Sequence, residues 1–129
     1  MSGYSDVLLD HFTDPRNAGA IEDPDGVATV TNPACGDVMR LYLKIDHGVI
    51  TDAKWQTQGC GTAIAASSVA SEMIAGQSVE QARKMTRVSI SDALGGLTPA
   101  KMHCSVLAAD ALREALGDYA DRRREPQDA

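Results

Sequence analysis

Between Val38 and Thr57 the side chains alternate twice over. Met39, Leu41, Leu43 and Ile45 fall on one face of the first stretch, with Arg40 and Lys44 on the other. After Asp46-His47-Gly48, Val49, Ala53 and Trp55 share a face while Asp52, Lys54 and Gln56 take the opposite one. A period of two sustained over this length belongs to strands with one buried face. The Asp-His-Gly step leaves room only for a tight hairpin turn, so the two strands pair antiparallel. Gly26 to Thr31, rich in Val and Thr and set off by Asn32-Pro33, adds a third strand and makes a meander.

Past Gly59 the period changes. Ala63 to Ile74 reads as a helix with Gly76 as its stop, and Ser78-Val79-Glu80-Gln81 as a capping box that opens another short one. Thr98 and Pro99 take the N-cap and first positions of a long last helix, whose apolar stripe is Met102, Val106, Ala109, Leu112, Leu116 and Tyr119. Near the start, Ser5 to Phe12 is a short amphipathic helix ended by Asp14-Pro15. Strands followed by helices predict an α+β class: a small three-stranded antiparallel sheet with helices packed on one face. With 129 residues, no linker and no internal repeat, one domain over 1–129 is expected, with a polar tail frayed from about residue 120.

Composition removes several function classes. Eighteen acidic against twelve basic residues give a net charge of -6, which repels phosphate backbones and anionic lipid. Only 4% of residues are aromatic, too few rings for a base-stacking platform. No nucleic-acid or membrane partner is expected. Asp6 and Asp10 stand where a secretory leader would need basic and apolar runs, and three cysteines are an odd count for a disulfide framework. A cytoplasmic protein with free thiols follows.

The three cysteines sit where the element type changes. Cys35 lies in the Pro33-Ala34-Cys35-Gly36-Asp37 loop, Cys60 between Gly59 and Gly61, and Cys104 beside His103 in the first turns of the last helix. Glycine neighbours permit tight turns that bring a thiol forward, and a nearby helix N-terminus lowers thiol pKa. Asp37 reads as a carboxylate in a solvated turn at a strand start, and His11 and His47 as surface and turn residues. Separations of 25 and 44 residues between successive cysteines are not zinc-finger or ferredoxin spacings, so the fold must assemble any shared site. The meander places such a site at one end of the domain. Soft thiolates select zinc or iron-sulfur clusters, and a hard carboxylate among them makes the site exchangeable.

Three segments carry a resemblance: Asn32-Pro33-Ala34-Cys35-Gly36-Asp37-Val38-Met39, Gly59-Cys60-Gly61-Thr62-Ala63-Ile64-Ala65 and Lys101-Met102-His103-Cys104-Ser105. In this order they closely resemble the IscU/NifU-type iron-sulfur cluster assembly scaffolds, and Asp14 to Gly19 is similar to that family's N-terminal motif. The resemblance runs from Tyr4 to about Tyr119. It implies that Cys35, Cys60 and Cys104 bind a transient 2Fe-2S cluster, with His103 as an additional or alternative ligand and Asp37 as the carboxylate that keeps the cluster labile. It also implies a cysteine desulfurase as sulfur source, iron from the cell and apo iron-sulfur proteins as recipients. The protein is then a scaffold or carrier and not an enzyme.

Two departures from the family pattern shape the expectation. The Leu-Pro-Pro-Val-Lys motif that recruits a chaperone is replaced by Leu97-Thr98-Pro99-Ala100-Lys101, which weighs against a chaperone pair as partner. His103 is present and no long insertion separates Cys60 from Cys104, which favours the IscU-like over the zinc-dependent SufU-like branch. The chain ends before the extra domains of full-length NifU proteins, so a stand-alone scaffold is expected; a homo-oligomer is left open. The alternative is a zinc-binding sulfur acceptor, because the same ligands suit tetrahedral zinc. A cysteine hydrolase using Cys104 and His103 is disfavoured, since adjacent helical residues point about 100° apart.

Overall fold

The computed structural model describes residues 5–33 and 36–124. Three strands, β1 (Gly26–Thr31), β2 (Val38–Asp46) and β3 (Val49–Gln58), form an antiparallel meander in the order β1-β2-β3. The β2–β3 turn places His47 (φ 53°) and Gly48 (φ 77°) in left-handed backbone, as a two-residue hairpin with right-handed strand twist requires. Helices α1 (Asp6–Thr13), α2 (Gly61–Ile74), α3 (Val79–Arg83), α4 (Arg87–Ala93) and α5 (Met102–Arg124) complete the fold. The long ones cover one face of the sheet, α2 against β3 and α5 against β1 and β2. Met39, Leu41, Leu43, Ala53 and Trp55 point into that layer. On the other face Arg40 donates to Thr29 and Tyr42, and Tyr42 to Gln56, in a polar lattice open to solvent.

One inward residue differs from the sequence expectation. Register slips between Lys44 and Ile45, pairing Lys44 with Asp52 but Ile45 with Ile50. The extra residue, Thr51, rotates the start of β3, so Ile50 is buried and Val49 exposed.

Small residues set the distances between layers. On α5 the residues against the sheet are Ala108, Ala111 and Ala115, all buried. A Cβ on Gly26 of β1 would stand 2.5 Å from the Ala115 carbonyl oxygen, so this close approach of strand and helix exists only because Gly26 has no side chain. The apolar stripe read from the sequence therefore matches the buried face only in part: Leu112 and Leu116 are buried, but Val106 and Ala109 are only half-buried, at the flank of the helix. α5 also runs to Arg124, past the point where polarity suggested fraying. Its last turns are tied to the sheet by Asp118, which accepts the Val27 N–H (3.0 Å), and by Arg122, which pairs with Asp118 and donates to the Pro24 carbonyl. The tail from residue 125 lies outside the described residues.

The N-terminal segment is held from both ends. Ser5 caps α1 by accepting the Leu8 N–H and donates to the Leu94 carbonyl beyond α4. Within Asp14 to Gly19, the Arg16 carbonyl accepts the Trp55 indole N–H (2.7 Å), while Asn17 and Gly19 hydrogen-bond the Trp55 backbone. This motif is thus an extra edge on β3. His11 is not a surface residue: it is 5% exposed, wedged between α1 and α2.

α4 itself was not anticipated. Its cap is reciprocal, Thr86 with Ser89, where the usual signature would need Glu or Gln in place of Ser89. Ahead of α5, Pro99–Lys101 form a single 3-10 turn, and Thr98 makes no side-chain cap. No described helix is long and apolar enough to cross a membrane.

Candidate metal centre

Hairpin register delivers the first two residues. Val38 pairs with Gln58, so the residues flanking that pair, Asp37 and Gly59, face each other at the end of the sheet. Cys60 follows as the N-cap of α2 and is exposed. His103 and Cys104 enter from above, on the first turn of α5. Three separate corners of the fold thus converge at one end of the domain.

The donor atoms of Asp37, His103 and Cys104 all lie within 4.8 Å of one another. The Cys60 and Cys104 sulfurs are 3.7 Å apart. That is far from a disulfide, whose sulfurs are about 2.05 Å apart. It matches two thiolates on one tetrahedral ion, since bonds of about 2.3 Å at the tetrahedral angle set the sulfurs roughly 3.8 Å apart. The carboxylate and the imidazole lie together with Cys104, while Cys60 joins the set through its contact with Cys104.

Electrostatics at the site favour a cation. Asp37 is 7% exposed, not solvated as its turn position suggested, and among the described residues its Oδ2 has no hydrogen-bond partner. A buried carboxylate oxygen left this way is unfavourable unless a charge completes it. Cys104 is 1% exposed, and burial, with the Cys60 thiol and Asp37 nearby, pushes its pKa up to about 12, against the opposing charge of Lys101. The nearby helix end would by itself lower it; desolvation outweighs the dipole here. Cys104 is therefore a thiol until a metal displaces its proton, the reverse of an activated nucleophile. Although His103 and Cys104 are helical neighbours, both donor atoms belong to the same group, which suits shared ligation better than base and nucleophile.

The glycines beside Cys60 act differently from the expectation. Gly36 does adopt left-handed backbone (φ 76°), but Gly59 and Gly61 do not. They are needed for space. A Cβ on Gly59 would sit 2.8 Å from both Cγ and Oδ1 of Asp37, and one on Gly61 would meet the Phe12 ring at 3.0 Å. Phe12 and Lys101 belong to the surroundings of the site without having been singled out for it. With Leu8, Leu9, Cys60 and Thr62 they line a groove of about 230 Å³ beside the exposed thiol. The packing of α1 on α2 that creates it has no local sequence signal. Cys35 lies outside the described residues.

The profile of the NifU-like N terminal domain matches residues 3–126. The chain belongs to that family. The IscU 1 iron-sulfur cluster assembly scaffold protein of Archaeoglobus fulgidus is 58% identical over 116 residues, covering 90% of this chain and 76% of that protein. The IscU scaffold of Azotobacter vinelandii is 48% identical over 124 residues, covering 93% of this chain and 96% of that one. Among solved structures, a protein assigned to the SUF system as an iron-sulfur cluster assembly scaffold, from Fervidobacterium islandicum, superposes with a TM-score of 0.74 at 25% identity, covering 88% of this chain and 96% of that one. Membership in the NifU-like family was expected from the three cysteine segments, and the α+β architecture from the strand and helix periods.

Proposed function

We propose that this chain is a scaffold on which a 2Fe-2S cluster, its cargo, is built and from which it is passed to apo-proteins. The observation that carries this reading is the 3.7 Å sulfur pair of Cys60 and Cys104 beside the carboxylate of Asp37 and the imidazole of His103. Two thiolates hold iron firmly, and Cys35 is assigned as the third. Asp37 and His103 offer harder, weaker donors, which lower the barrier for the cluster to leave. A scaffold needs that asymmetry, whereas a permanent electron carrier is better served by four thiolates. Exposure of Cys60 fits it to receive sulfur from a cysteine desulfurase, and the names of the relatives at 58% and 48% identity support the same role. No turnover chemistry is assigned, because the more buried thiol is held protonated.

Anaerobic reconstitution with iron and sulfide tests this. The parent protein should develop a 2Fe-2S chromophore, and Cys35→Ser, Cys60→Ser and Cys104→Ser should each lose most of it. Full cluster content in all three variants would end the proposal.

A second reading rests on the same distances: Asp37, His103 and Cys104 offer three ligands to one zinc ion, and Cys60, 3.7 Å from Cys104, would close the tetrahedron without Cys35. The chain would then be a zinc-bearing sulfur acceptor. Metal and sulfide analysis of protein isolated without oxygen separates them. Equimolar zinc without sulfide, unchanged in Cys35→Ser and not displaced by cluster assembly, would favour the zinc reading.

A further inference from the structure

The apolar flank of α5 that does not meet the sheet has its own surroundings. Together with α3 and the segment leading into α4 it forms a groove of about 420 Å³ whose floor is Ala82, Met85, Val106, Ala109, Leu112 and Leu116. The rim is basic: Arg83, Arg87 and Arg113 against a single acid, Asp110, which Arg113 already pairs at 3.0 Å. Arg83 and Arg87 are exposed and have no hydrogen-bond or ion-pair partner among the described residues. This concentration of positive charge stands on a chain of net charge -6.

We propose that this groove docks a partner protein through a short acidic segment with an apolar ridge. The floor supplies desolvation for two or three apolar side chains, and the free guanidiniums pair with carboxylates beside them. The arginines also bear on selectivity, because a chain of net charge -6 repels acidic segments in general and this rim locally reverses that sign. A second copy of this chain is a poor occupant: a symmetric pairing would set arginine rim against arginine rim between two molecules of the same net charge. The proposal stands independently of the metal centre, since no groove residue is among the proposed ligands.

The test uses a fluorescein-labelled peptide of leucine and glutamate at helical spacing, its leucine–lysine counterpart, and the full chain in anisotropy titrations. The glutamate peptide should bind saturably, and the lysine peptide at least about tenfold more weakly. Charge reversal by Arg83→Glu with Arg87→Glu should cost the glutamate peptide about tenfold or more, with circular dichroism unchanged because both side chains are exposed. Amide shifts on binding should cluster at residues 82–87 and 106–116. Absence of saturable binding, equal affinity for both peptides, undiminished binding by the charge-reversed variant, or shifts centred elsewhere would each overturn the proposal. So would concentration-dependent dimerisation abolished by the same substitutions, which would give the groove to a second copy.

Discussion

Two buried polar regions border α2, one at Ser68 and Ser71 within the helix and one at its N-terminal end, and they are treated in different ways. Under α1, the Ser68 hydroxyl is 2.7 Å from His11 Nδ1 and accepts the Arg16 N–H at 2.9 Å. Ser71 accepts from Asn17 Nδ2 and donates to the Ser68 carbonyl, and the Trp55 indole is taken by the Arg16 carbonyl. The orphan there, Arg16 Nη1, belongs to a guanidinium anchored to Asp10 through Nη2 at 2.7 Å. At the metal centre the pattern reverses: Asp37 Oδ2 is buried and unpartnered among the described residues, and the buried Cys104 thiol meets another thiol. The first region satisfies its buried polar atoms with protein partners except Arg16 Nη1, whose guanidinium is already held by Asp10; the second leaves a carboxylate oxygen that a bound cation would complete. The difference separates structural polarity from functional polarity without reference to residue type.

Substitution can break the comparison. Ser68→Ala should destabilise the protein by about 2 kcal/mol, because it strands a buried ring nitrogen and a backbone N–H together. Urea unfolding checks this, and a loss below about 0.5 kcal/mol would remove the network from the account. Asp37→Ala should do the opposite, raising the stability of the metal-free protein by about 1 kcal/mol as an unpaired buried carboxylate is removed. Zinc should then stabilise the parent more than the variant, since the site of the variant has lost a donor. If Asp37→Ala instead weakened the metal-free fold as Ser68→Ala does, the two regions would be alike and the comparison would fail.

How much of this was visible in the sequence follows the range of the interaction involved. The hairpin, its turn and α2 rest on local periods and on glycines; the first two are where the alternation placed them, and α2 ends at the expected Ile74 but starts at Gly61, two residues ahead of the expected Ala63. The convergence of Asp37, Cys60, His103 and Cys104 was legible only as a topological expectation, that loops at one end of a meander meet. What stayed hidden came from contacts between distant segments. No local pattern announces that Thr51 is an extra residue, and the slip decided between Val49 and Ile50. The face of α5 laid on the sheet was chosen by small size, Ala108 to Ala115 against Gly26, whereas the hydrophobic stripe reads large residues first. Burial of Asp37 depended on the missing Cβ of Gly59, and burial of His11 on a serine layer far along the chain.

The smallest effect distinguishes the regions by pH. Burial, then the positive charge of Arg16, lowers the His11 pKa from its ordinary 6.5, while Glu72, 3.5 Å from Nε2, and Asp10 pull it back only in part. The fold therefore prefers neutral His11, and below pH 6.5 the unfolded chain binds more protons at this residue than the folded one. Its contribution is fully present above that pH and declines as pH falls toward the folded-state value. His11→Asn, compared with the parent in urea titrations at stepwise lower pH, should show a shallower loss of stability over this window, with other titrating groups common to both proteins. The magnitude is less than that of Ser68→Ala because Glu72 and Asp10 offset part of the cost of charging the ring. Parallel stability curves for parent and variant below pH 6.5 would mean that protonated His11 is accommodated between α1 and α2, with Glu72 and Asp10 offsetting the whole cost of its charge.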